Sequence, residues 1–243
     1  MLMAIARRTF LGLACAGVAS PLIAGPAPAG DYPGEVAGIR LPRTRLCASA
    51  FELCRSLAPA FLVNHCLRTY VFGALHAARH RISFQAESAF VAAVLHDLGL
   101  LPSVATAKGS FEVDGADRAE RLVRGSGASD EEARTVWRAI VMHDMRFAIP
   151  VHESPEAQLV AFGAGADVVG PDEDMVSAVQ RREVIAAVPR LDFKRQFIAL
   201  AADHCQRKPG AQNGTWLESF CRTHSSVPPS ATERAILDAP FPD

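Results

Sequence analysis

A strong charge of either sign is missing from this chain of 243 residues: 25 Lys and Arg stand against 26 Asp and Glu, a formal net charge of −1. That balance argues against a strongly basic nucleic-acid binder and against an acidic disordered tail. Aromatic residues are scarce, at 7%, and runs of Val and Thr in strict alternation are hard to find, so the pattern turns away from sheet. The six cysteines form no CxxC pair, which leaves no signature of a structural zinc knot. No Walker loop, GxSxG elbow, HExxH helix or fixed-period repeat is found. What remains, 49% hydrophobic and 21% charged residues with abundant Ala, is globular usage biased toward helices.

The first residues read as an address. Arg7-Arg8-Thr9-Phe10-Leu11 is a twin-arginine pattern, an apolar run follows from Phe10 to Ala24, and Ala27-Pro28-Ala29 offers a small-residue exit. The run is short and Gly-rich for a membrane span. We expect a cleaved signal over 1–29, recognition by the twin-arginine export machinery, a periplasmic or secreted protein and no stable membrane anchor; an uncleaved anchor is the competing reading. Cleavage removes Cys15 and leaves Cys47, Cys54, Cys66, Cys205 and Cys221, an odd set that does not describe a disulfide framework. An oxidising compartment would permit a Cys205–Cys221 bridge, which spacing alone does not establish.

Beyond the leader, 30–43 reads as an irregular lead-in. Apolar spacing and breakers predict helices over 44–57, 59–80, 85–98, 114–124, 130–141, 155–169, 173–188, 192–206 and 215–223. Pro59 opens the second, Gly99 ends the third, and Pro150 sits in a loop. The expectation is an all-α bundle of about eight helices over 44–223, with a loose tail over 224–243.

Four polar positions break the apolar faces. His65 lies beside Phe61 and Leu62, His96 and Asp97 follow the apolar run Val91–Leu95, and Asp167 sits within Val160–Val169. A buried unpaired carboxylate is very costly, and the simplest shared partner is one divalent cation. Two imidazoles and two carboxylates suit Zn²⁺ or Fe²⁺, and also Mn²⁺. Adjacent His96 and Asp97 diverge by about 100° on a regular helix. They serve one ion only where the helix ends and the chain turns, near Gly99.

The ordered set resembles the HD-domain superfamily of metal-dependent hydrolases. Asn64–Gly73 is similar to the NHxxRxYxFG segment of its cyanamide-hydratase-like branch, and Leu95–Gly99 carries the namesake His-Asp pair. Phe111–Ala116 resembles the branch's FExxGA segment, Ala139–His143 its later histidine helix, and Val188-Pro189-Arg190 with Phe193-Lys194 its PR-x-x-F-K stretch. The resemblance implies an HD-domain bundle with a single metal on His65, His96, Asp97 and Asp167. It implies a hydrolase or hydratase in which a cation-activated water attacks a small molecule with a C≡N group. His143 would then donate or shuttle a proton, with Glu112 and Lys108 as further catalytic candidates. Asn64 and Arg68 would brace the ligands, the bland alternatives being a helix cap and a surface ion pair.

Two other readings stay open. A phosphohydrolase of nucleotide-like substrates is weakened by Leu100, which stands where phosphohydrolase members carry Lys. A non-catalytic exported metal- or ligand-binding protein is the other. His143 with His152 would be the place for a second ion. Asp144 and Arg146 read as a solvated helix end, and Tyr70, Phe72 and Trp137 as core.

Overall fold

The computed structural model describes residues 31–107, 109–145, 148–171, 176–209 and 215–224. The expected signal over 1–29, the tail beyond His224, Lys108 and Arg146 therefore lie outside the described residues. Within them the chain is all-α: ten helices and one two-stranded hairpin. No helix among these residues is long and apolar enough to cross a membrane.

Polar caps set five of the helix starts. Thr44 accepts from the Cys47 amide to open α1 (Arg45–Leu57), and Ser154 accepts from the Ala157 amide ahead of Pro155 to open α7 (Pro155–Val169). Ser129 and Glu132 close a capping box at the start of α5 (Asp130–Val141), as Ser177 and Gln180 do for α8 (Ala178–Ala187). Capping also corrects two expected boundaries. Helix α4 (Phe111–Gly125) starts three residues earlier than periodicity predicts, because Ser110 caps the Val113 amide. Pro59 is the N-cap of α2 (Ala60–His80) rather than its first helical residue.

Three other expectations change. The lead-in contains a hairpin, β1 (Glu35–Val36) against β2 (Ile39–Arg40), turning through Ala37 and Gly38 at positive φ. Tyr32, Val36 and Leu41 bury their side chains in the main core, so the lead-in packs with the helices. Pro150 lies within a short helix, α6 (Ala148–Glu153), where a loop was expected; it sits in the first turn, where no amide proton is needed.

Helix α2 is the axle. It is buried from Phe61 to Ala77 except at Asn64, as a helix surrounded on all sides must be. Its broadest partner is α7, with α3 (Ala86–Leu95) and α9 (Phe193–Arg207) also against it. Gly73 and Gly163 make the α2–α7 approach close: a Cβ on Gly163 would fall 1.9 Å from the Thr69 carbonyl oxygen, and one on Gly73 2.2 Å from that of Leu159. Tyr70 and Phe72 are core, as expected, and Trp137 is partly buried against it, donating to Asp117 at 2.8 Å.

Two covalent or ionic ties fasten the C-terminal part. Cys205 and Cys221 form a disulfide that joins α9 to α10 (Trp216–His224). Lys208 Nζ donates to Asp114 Oδ2 at 2.6 Å, and both side chains are buried. Although burial by itself opposes ionisation, Lys208 and Thr106 hold the Asp114 carboxyl below its ordinary 3.8. A group with a depressed folded pKa stabilises the fold above its unfolded value and stops doing so as pH falls through the folded one. An Asp114→Ala chain, left with a buried unpaired ammonium, is therefore expected to lose about 3 kcal/mol at neutral pH. Urea titrations check this, and the difference from wild type should shrink as pH drops below 3.8.

Candidate metal centre

The turn required of His96 and Asp97 is present. Helix α3 ends at Leu95, His96 keeps helical angles, Asp97 departs from them (φ −98°, ψ 3°), and a 3-10 turn, Leu98–Leu100, follows. Both side chains thereby meet His65, which α2 delivers from the opposite side. His65, His96 and Asp97 offer ligand atoms within 4.8 Å of one another, all buried, and can hold a metal ion.

Hydrogen bonds at the far side of each ring decide what faces inward. His65 Nδ1 pairs with Asp167 Oδ2 at 2.7 Å, and His96 Nδ1 pairs with the Ala93 carbonyl at 2.8 Å. Each Nδ1 is then the N–H, and each Nε2 presents a lone pair. These Nε2 atoms stand 3.2 and 3.3 Å from Asp97 Oδ2, and all three atoms lack a hydrogen-bond partner. Three buried acceptors turned on one another are repulsive unless a cation or protons lie between them. A metal fits that requirement. Without one, the carboxylates draw protons: burial would lower the His96 pKa, but Asp97 and Cys66 outweigh it and push it up to about 10. Burial likewise opposes charge on Asp97, yet the two imidazoles hold it well below the usual carboxylate range.

Asp167 stands one step behind this cluster. Arg68 Nε donates to its Oδ1 at 2.7 Å and Arg68 Nη2 to its Oδ2 at 2.8 Å, a bidentate clamp; Arg190 Nη1 adds a bond to Oδ1 at 3.0 Å. Burial alone would raise the Asp167 pKa, but His65 and Arg68 overcome it and keep the group ionised. The carboxylate expected as the fourth ligand thus spends its oxygens on two arginines and the back of His65. It orients that ring as an outer partner does in carboxylate–histidine–metal chains.

Arg68 is wholly buried, so the surface-pair alternative does not describe it. Its Nη1 also reaches the Pro189 carbonyl at 2.9 Å, which Asn64 Nδ2 shares at 2.8 Å. Asn64 therefore braces the segment that carries Arg190. Arg190 and Phe193 have support roles that periodicity could not indicate. Phe193 stacks on His65 at 4.9 Å, and the Arg190 guanidinium lies 4.6 Å from the Phe193 ring centre. Between them Leu191 and Asp192 take positive φ, a strained turn that sets both side chains against the cluster.

His143 lies at the edge. Its Nδ1 bonds the Ile140 carbonyl at 2.6 Å, and its Nε2 is 3.7 Å from Asp97 Oδ1. Burial and the neighbouring His96 lower its pKa to about 4, so it is neutral at physiological pH. His152 is exposed on α6 and does not share the buried position of His143. The Cys66 thiol adjoins His96, but burial and Cys54 raise its pKa well above the ordinary value, which keeps it a packing group.

Asp144 departs from the solvated helix end expected of it. Both its oxygens are buried and lack a hydrogen-bond donor, as do both oxygens of Glu112 on α4. A cavity of about 920 Å³ opens over these groups, with His65, His96, Asp97, His143 and Asp144 on its floor. Ala161, Ala164, Val168 and Phe197 form apolar walls, and Glu218 and Arg222 of α10 stand at its margin. A second cavity of about 810 Å³, bounded by Arg45, Glu87, Arg121 and Glu132, lies away from this chemistry. No protein-family model matches the chain, and no curated protein matches it.

Proposed function

We propose that the chain is an exported metal-dependent hydratase or hydrolase of the HD-domain kind, acting on a small uncharged molecule of the nitrile or cyanamide type. One observation carries this reading: two imidazole nitrogens and a carboxylate oxygen, all buried and without partners, converge on the floor of an apolar cavity. His65, His96 and Asp97 would hold one divalent cation, and two nitrogens with one carboxylate suit Zn²⁺ or Fe²⁺, with Mn²⁺ as a further fit. When bound, such an ion lowers the pKa of water toward neutrality and polarises the group under attack.

The chain's own residues do the rest. Asp167 fixes the His65 tautomer, and Arg68 and Arg190 keep Asp167 charged. Ala161, Ala164, Val168 and Phe197 exclude bulk water and favour an uncharged substrate. Neutral His143, held at Nδ1 by the Ile140 carbonyl, sets its Nε2 3.7 Å from Asp97 Oδ1, where it can relay a proton. The phosphohydrolase alternative is disfavoured by the Asp97 and Asp144 carboxyls in the cavity lining and by Arg222, which is paired with Glu218 at 2.6 Å. The disulfide suits an oxidising compartment and so supports the export reading.

Elemental analysis combined with assays on cyanamide, acetonitrile and a generic phosphodiester tests the proposal. The expected result is one bound metal, hydration of the C≡N compounds and no phosphodiester cleavage. Phosphodiester cleavage without hydration would reverse the choice of substrate class. Bound metal with no turnover would support the non-catalytic binding protein instead.

A further inference from the structure

The four buried oxygens of Asp144 and Glu112 are not explained by the metal cluster. Glu112, 2% exposed, projects from the first turn of α4, and Asp144 follows His143 after α5. The two carboxyls lie within hydrogen-bonding reach of each other. Ionised, both would be acceptors only, and neither has a donor of good geometry. Two adjoining buried carboxylates do not both ionise; one proton between them turns a repulsive contact into a short charge-assisted bond. Asp144 also lines the cavity that holds His65, His96 and Asp97, and Glu112 does not line it.

We propose that Asp144 and Glu112 share one proton and that Asp144 is the acid that delivers it to the substrate nitrogen. The assignment rests on the hydratase reading above. Glu112 is the positioning residue, keeping the proton on Asp144 by its charge. Burial first, and then the Glu112 charge, raise the Asp144 pKa well above the usual carboxylate range, which favours its protonated form. The other groups facing it are Asp97, which also opposes ionisation, and the Thr215 hydroxyl, which favours it. Glu218 and Arg222 on the neighbouring α10 neutralise each other.

The step balances. The oxygen of water bonds to the nitrile carbon as one C–N π bond breaks. The electron pair released onto nitrogen takes the Asp144 proton, and the proton lost by the water returns to the Asp144–Glu112 pair. The imidic acid then rearranges to the amide, or to urea from cyanamide, by a proton shift. An anionic phosphate in the cavity would add its charge to the one negative charge the carboxyl pair already carries.

Infrared spectra of the full chain without metal read the shared proton independently of turnover. Wild type is expected to show the carbonyl band of a protonated carboxyl at neutral pH, lost in strong alkali and absent from Asp144→Asn. With zinc bound and cyanamide as the probe, Asp144→Asn should lose on the order of 100-fold in kcat with little change in KM or in zinc content. Asp144→Glu should recover part of that loss. Glu112→Gln removes the opposing charge, so the alkaline limb of the rate profile should move to lower pH. Thermal melts of Asp144→Asn, whose amide can donate to Glu112, should not fall below wild type. A wild type without the band, or an Asp144→Asn chain with wild-type kcat, overturns the proposal. The band together with bound zinc but no hydration by wild type overturns the hydratase reading and leaves the shared proton standing.

Discussion

An Asp97→Ala chain is expected to lose far more metal affinity than the roughly 10–100-fold that removal of an outer partner costs. Asp97 Oδ2 faces both ring nitrogens, at 3.2 and 3.3 Å, and it supplies the negative charge of the set. Two neutral imidazoles alone give a divalent ion no charge compensation in a buried site. The comparison with Asp167→Asn is the informative one. Asp167 reaches the cluster only through His65 Nδ1, so its loss should fall within that 10–100-fold range. Competition for zinc against a chromophoric chelator measures both, with circular dichroism as the check on folding. Equal losses from the two variants would return Asp167 to the ligand set; an unchanged affinity in Asp97→Ala would contradict the site.

Gly163→Ala is expected to cost at least about 3 kcal/mol, the upper range for overpacking, because the added methyl meets backbone and not a side chain that can swing away. Its Cβ would lie 1.9 Å from the Thr69 carbonyl oxygen and 3.0 Å from the Gly73 amide nitrogen. Relief requires α7 to move off α2, the broadest helix contact in the chain. That interface also carries the Arg68–Asp167 clamp and the Asp167–His65 bond, so separation loosens the back of the metal cluster. With a total stability of about 5–15 kcal/mol typical of such domains, the variant should melt many degrees lower and bind zinc more weakly. Calorimetry and the same zinc competition check this. A melting temperature equal to wild type would mean that the helices are less closely packed than these distances state.

Much of the fold was legible because its signals are local. The 3.6-residue spacing, the Ser and Thr caps and the Pro breakers located the long helices to within a few residues. The short α6 escaped because Pro150 reads as a breaker unless its place in a first turn is known. The β1–β2 hairpin escaped because two-residue strands have no periodicity.

At the site, His65, His96 and Asp97 were visible as polar residues in apolar surroundings, and the need for a turn after Leu95 followed from their adjacency. The position of Asp167 was not legible. Sequence spacing says that a carboxylate is buried, and only geometry says whether it faces the ion or the back of a histidine. Arg190 and Phe193 depend on a positive-φ turn at Leu191 and Asp192, for which neither residue type gives notice. Asp144 looked solvated because its partner Glu112 lies 32 residues earlier, across a packing contact that no local pattern encodes.

X-ray absorption on the full chain, loaded with zinc and washed of excess, tests the central claim most directly. The account predicts one zinc per chain with imidazole nitrogen and carboxylate oxygen neighbours, no sulfur despite the nearby Cys66, and loss of the imidazole signature in a His65→Ala, His96→Ala double variant. Zinc that washes out of the wild type, or a zinc environment that the double variant leaves unchanged, would contradict it.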